Sequence, residues 1–176
     1  LEVFKVADQH DELSRAEVRW ISVLLRMPDE GTGALPLIRG IILADDKSST
    51  YKLALLRSLA RIAEHAPAAV RIADGEVDAV DVPLGLVALF WLRMYFPRVR
   101  AGLPQAPRNS GPEGLGFARE GFRALLDLQF TAADLRMGSS FVADRAMASH
   151  AAITDAVRTI VAMPANFIRY TGSGQQ

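Results

Sequence analysis

The sequence predicts a mainly α fold: about six helices packed as one domain, with a small β-hairpin. Three observations carry that expectation. Apolar residues recur at helical spacing in several segments bounded by capping residues and prolines. Two short alternating runs flank an Asp-Gly pair, and half of the residues are hydrophobic, enough to build a core. At 176 residues the chain has the size of a single domain, 1–176.

Ser14-Arg15-Ala16-Glu17 matches a capping box, in which serine and glutamate each satisfy a free amide of a helix start. It predicts a helix over 14–27, stopped by Pro28 with Gly31 and Gly33 behind it. Residues 35–43 are short, apolar and interrupted by Gly40, and fit a buried helix or a strand. The polar stretch 45–50 offers several N-caps for the best helix of the chain, 50–65. Its Tyr51, Leu55, Leu56, Leu59 and Ile62 share one face, with Arg57 and Arg61 opposite. Ala66-Pro67 closes that helix.

The runs 70–73 and 77–82, separated by Asp74-Gly75-Glu76, predict the hairpin. Pro83 suits a first helical turn and opens 84–96, apolar nearly all round and so buried, with Pro97 kinking or ending it. The proline- and glycine-rich segment 103–116 reads as a long loop. Another amphipathic helix is expected over 117–130, then a shorter segment over 131–137, broken by Gly138-Ser139-Ser140. Ser149 caps a last helix over 150–163, Pro164 stops it, 167–170 reads as a closing strand and 171–176 as a flexible tail. The missing initial methionine and the Gly-Ser ending suggest a piece of a longer chain.

No apolar run approaches the roughly 18 residues needed to span a bilayer, and no secretory signal pattern opens the chain, so no membrane partner is expected. With no cysteine, disulfides and thiolate metal sites are excluded, and the cytoplasm is the default compartment. Net charge is zero, yet the charge is segregated. Residues 47–61 hold Lys47, Lys52, Arg57 and Arg61 without an acid, and 93–123 hold six arginines against Glu113 and Glu120. Arginine outnumbers lysine 17 to 3, which reflects genome composition or phosphate recognition, for which its planar fork is suited.

Catalytic patterns are absent. His10, His65 and His150 are scattered, and there is no HExxH, GxxxxGK(S/T) or GxGxxG pattern. Asp74, Glu76, Asp78 and Asp81 form an acidic cluster that invites a divalent metal, but no lysine stands two residues after Glu76 or Asp78 to position an attacking water. A solvated hairpin accounts for it better. Lys52 is charged within an apolar arc, which fits a snorkelling ammonium or a group aimed at a phosphate. Tyr51 fits core packing better than base stacking. The 90–96 stretch, Phe-Trp-Leu-Arg-Met-Tyr-Phe, fits core better than a stacking surface.

The run Ser49-Thr50-Tyr51-Lys52-Leu53-Ala54-Leu55-Leu56-Arg57-Ser58-Leu59 resembles a helix of bacterial HNH-endonuclease-type proteins. Val82-Pro83-Leu84-Gly85-Leu86 leading into Phe90-Trp91-Leu92-Arg93-Met94-Tyr95, Leu103-Pro104-Gln105, and Met163-Pro164-Ala165-Asn166-Phe167-Ile168-Arg169-Tyr170 are similar to the same group. The resemblance spans 35–170. It implies the helical region that precedes an HNH module in restriction or antiviral defence nucleases. The His-Asn-His constellation is missing from this chain, so no catalytic residue carries over.

The expected function is a non-catalytic, DNA-engaging helical domain, with no cofactor or metal in this segment. Its phosphate contacts would be Lys47, Lys52, Arg57 and Arg61, joined by Arg93, Arg98 and Arg100, with Tyr51 counted beside them among the nucleic-acid-binding residues. One alternative is an assembly module of a multi-subunit bacterial system, contacting a partner protein or a second copy through 84–116. The other is a metal-dependent hydrolase built on Asp74 to Asp81.

Overall fold

The computed structural model describes residues 2–11, 16–24, 50–73, 79–103 and 115–162, the first two segments as backbone only. Four strands and four α-helices follow in the order β1 (Glu2–Asp11), β2 (Ala16–Leu24), α1 (Tyr51–His65), β3 (Arg71–Ile72), β4 (Ala79–Pro83), α2 (Leu84–Arg100), α3 (Glu120–Asp127) and α4 (Ala143–Ala162). A short 3-10 turn, Pro67–Ala69, follows α1. The fold is mainly helical, with four helices among the described residues where about six were expected.

The largest departure is at the amino end. The capping box predicts a helix over 14–27, but Ala16–Leu24 is a strand. Glu17, Val18, Arg19 and Trp20 alternate polar and apolar, and Val18, Trp20, Ile21 and Val23 are strand-favouring types. Pairing with two neighbours outweighs the local capping signal. β2 runs antiparallel to β1, with Ala7 opposite Trp20 and His10 opposite Glu17, and antiparallel to β4, with Trp20 opposite Pro83 and Leu24 opposite Ala79. The sheet order is β1-β2-β4-β3.

The expected hairpin is present as β3 and β4, with Arg71 opposite Asp81; its turn, 74–78, lies outside the described residues, as do 35–43, 104–114 and 167–176. The register places opposite charges across the pair, and Arg71 donates from Nε and Nη2 to Asp81 Oδ2 at 3.2 and 3.1 Å.

α2 is the central helix. Leu84, Val87, Ala88, Trp91, Leu92, Tyr95, Phe96 and Val99 recur at three- and four-residue steps and are all buried, against α1, α4 and the sheet. Each of the larger aliphatic and phenylalanine side chains among them contributes about 1.5–3 kcal/mol of burial. Pro97 does not end it, because a proline in the last turn removes only one late hydrogen bond. The end is set by Gly102 at φ +67: its amide bonds the Val99 carbonyl, and Leu103 bonds Arg98, both at 3.0 Å.

α3 is shorter than the expected 117–130. It stops at Asp127, and Gln129 takes φ +55 while its amide and that of Phe130 bond back to Leu126 and Leu125. Residues 131–137 form turns rather than a helix. α4 begins six residues before Ser149, which is therefore not a cap: its Oγ donates to the Arg145 carbonyl one turn back, at 2.7 Å. Gly121 lets α3 approach α4; a Cβ there would stand 2.5 Å from the Ala152 nitrogen. Tyr51, Trp91, Tyr95 and Phe117 form a mutually touching aromatic core, with ring centroids 4.9 to 6.2 Å apart. No helix among the described residues is long and apolar enough to cross a membrane.

Candidate functional site

Helical spacing explains how α1 and α2 build one groove. Arg57, Arg61 and His65 follow one another at i, i+4 and i+8, with Ser58 beside them. On α2, Phe90, Arg93, Met94, Pro97 and Arg98 occupy a matching stripe. Where the two helices pack, these stripes enclose a groove of about 320 Å³ lined by these nine residues, with no carboxylate among them. A second hollow of about 210 Å³ shares Arg57, Met94 and Arg98 and adds Thr50, Leu53, Ala54 and Tyr95.

Four of the eight residues expected to bind nucleic acid, Arg57, Arg61, Arg93 and Arg98, thus meet in one place. Arg57 and Arg93 are exposed. Arg98 donates to the Met94 carbonyl of its own helix, which holds the side chain along the groove. Arg61 is divided between Glu64, at 2.9 Å, and His65 Nε2, at 3.0 Å. Glu64 lies outside the lining and more than half exposed, so it tempers Arg61 without closing the groove.

The other four are placed elsewhere. Lys47 lies outside the described residues. Lys52 is half-buried in the first turn of α1 and is not part of the groove lining. Arg100 donates to the Phe130 carbonyl at 3.4 Å. Tyr51 is a core residue, 6% exposed, and its ring has no open face for a base. Its hydroxyl accepts the Gly116 amide at 2.9 Å, and burial raises its pKa above the ordinary value, against the lowering effect of that bond. Tyr95 is raised further by the same desolvation, with its hydroxyl 2.6 Å from Thr50 Oγ1. Thr50 sits at the N-cap of α1, but its side chain turns to Tyr95 and not to the helix amides.

The chain matches the model of the domain of unknown function DUF8808 over residues 31–176. It belongs to that family. The DUF8808 match takes in all four helices and the β3–β4 hairpin and starts beyond β2. No curated protein and no solved structure matches the chain.

Of the acidic cluster, Asp74, Glu76 and Asp78 lie outside the described residues, and Asp81 is buried in its ion pair with Arg71. Among the described residues no group of three His, Asp or Glu side chains is arranged to hold a metal ion. The apolar side chains of 84–96, considered above as an assembly surface, lie largely in the core of this DUF8808 domain. Sequence reasoning overlooked Ser58, His65, Phe90, Met94 and Pro97 as groove residues. The spacing of His65 from Arg61 could have flagged one of them.

Proposed function

We propose that this DUF8808 domain engages DNA through phosphate contacts in the α1–α2 groove, as a non-catalytic helical part of a bacterial HNH-type restriction or defence protein. The observation that carries the DNA reading is the convergence of Arg57, Arg61, Arg93 and Arg98 on one groove whose lining holds no acid. Guanidinium groups meet phosphate oxygens with two parallel hydrogen bonds, and a cationic hollow on a neutral protein concentrates polyanions locally. The resemblance of 49–59 and 82–95 to HNH-type proteins supports the wider context. No cofactor enters this reading.

The assembly and hydrolase readings draw less support. α2 packs its apolar residues into the core, and Asp81 is engaged by Arg71.

The test is fluorescence-anisotropy binding of the chain to a labelled duplex across a salt series, beside an Arg57→Ala/Arg93→Ala variant. Four phosphate contacts give a log-log salt slope of about three to four. A shallower slope and weaker binding in the variant would support the reading. Affinity indifferent to salt, or to both substitutions, would overturn it.

A further inference from the structure

Ser58, which lines the groove, carries a hydroxyl without a partner among the described residues. Ser58 is 2% exposed, and its Oγ is buried without a hydrogen bond among the described residues. Buried hydroxyls are nearly always bonded, and inside a helix the nearest acceptor is the carbonyl one turn back. Ser149 and Thr159 both take that route in α4, to Arg145 at 2.7 Å and to Asp155 at 2.9 Å. Ser58 does not, and among these three it alone lines the arginine groove.

The charge of the groove points the same way. An internal backbone phosphate carries one negative charge, whereas four guanidinium residues surround a hollow of about 320 Å³. A phosphomonoester carries about −1.5 to −2 and three strong acceptor oxygens, a closer match to four guanidiniums, one of them shared with Glu64, and a free hydroxyl donor. Phe90, Met94 and Pro97 supply an apolar wall suited to a sugar or base.

Resting on the reading of this groove as a nucleic-acid site, we infer that it seats a terminal nucleoside phosphate, with the Ser58 hydroxyl donating to one phosphate oxygen. The strand end of a DNA and a free nucleotide share that chemistry. Seating the oxygen requires side chains of the lining to change rotamer, a common adjustment at binding surfaces.

The experiment compares one single-stranded oligonucleotide with and without a terminal phosphate, on wild type and Ser58→Ala, with adenosine monophosphate as competitor and thermal unfolding of both proteins. The phosphorylated strand should bind about tenfold tighter. Ser58→Ala should erase most of that preference while Tm holds or rises, since an unpartnered buried hydroxyl is removed. Competition by the mononucleotide at matched concentration would assign a free nucleotide, and its failure a strand end; both support the terminal-phosphate site. A lower Tm with the preference intact would make Ser58 structural and overturn its role. Equal, salt-dependent affinity for the two strands would overturn terminal recognition and leave backbone contact standing. No binding to either strand at low salt would overturn both.

Discussion

The Tyr51 hydroxyl accepts the Gly116 amide at 2.9 Å, joining the first turn of α1 to the segment that leads into α3. The ring beneath that hydroxyl touches Trp91, Tyr95 and Phe117. The two parts of the side chain therefore make separable contributions. Tyr51→Phe removes the bond to the Gly116 amide and should lower stability by about 1 kcal/mol. Tyr51→Ala also empties part of the aromatic core and should cost about 3–5 kcal/mol. Urea unfolding of the two variants measures both. Equal losses would mean that the ring contributes little and that the hydroxyl holds this corner.

The buried tyrosines also set an alkaline limit. Tyr51 and Tyr95 both have pKa values raised in the folded state, chiefly by desolvation of the phenolate. A folded pKa above the unfolded one means that the native state holds its proton longer. The stabilisation is complete below the ordinary tyrosine value of 10.0 and is lost as pH rises above it. Stability should therefore fall steadily above about pH 10, with Tyr51→Phe falling less steeply. In a Tyr170→Phe background, which leaves only Tyr51 and Tyr95 to titrate, tyrosinate absorbance rising before loss of helical circular dichroism would contradict this.

Two glycines in neighbouring helices should respond in opposite directions to alanine. At Gly121 a Cβ would lie 2.5 Å from the Ala152 nitrogen and 2.7 Å from the Ala151 carbonyl carbon, both backbone atoms that yield only if α3 and α4 separate. Gly121→Ala should destabilise by about 1–3 kcal/mol. Gly85 has nothing within 4 Å and sits in the first turn of α2, so Gly85→Ala should stabilise by about 0.4–1 kcal/mol. Thermal unfolding of the pair checks both signs.

Gln129 ends α3 at φ +55, a conformation in which a Cβ is strained, while the Phe130 amide bonds Leu125 at 2.9 Å. Glycine has no such strain at this position. Gln129→Gly should raise stability by about 0.5–1 kcal/mol, against the usual trend for glycine. A loss in denaturant unfolding would show that the glutamine side chain contributes more than its backbone strain costs.

Local signals in the sequence located α1, the β3–β4 hairpin and the start of α2: the apolar stripe of Tyr51 to Ile62, the alternating runs on either side of Asp-Gly, and Pro83. Other elements depend on partners that a local reading does not contain. β2 carries a capping box at its edge and becomes a strand through pairing with β1 and β4. α3 ends three residues early because Gln129 turns without the glycine that would have marked it. The groove was half legible. Arg57 and Arg61 share a face by spacing alone, but their meeting with Arg93 and Arg98 is set by how α1 packs on α2. That packing also buries Ser58, whose hydroxyl looks in sequence like an ordinary surface residue.

The groove arginines should separate by their present partners. Arg57 and Arg93 are exposed and line the groove, so Arg57→Ala and Arg93→Ala should each reduce the salt slope of DNA binding by about one. Neither should change stability by more than about 0.5 kcal/mol, as exposed surface residues. Arg100 lies outside the groove with its guanidinium on the Phe130 carbonyl, so Arg100→Ala should leave the slope unchanged. Glu64 neutralises Arg61 at 2.9 Å, and Glu64→Gln should tighten binding by about twofold, the scale of an exposed ion pair. Anisotropy titrations at several salt concentrations test the four together. If Arg100→Ala and Arg57→Ala reduce the slope equally, the contact is a diffuse basic surface and the groove has no special part in it.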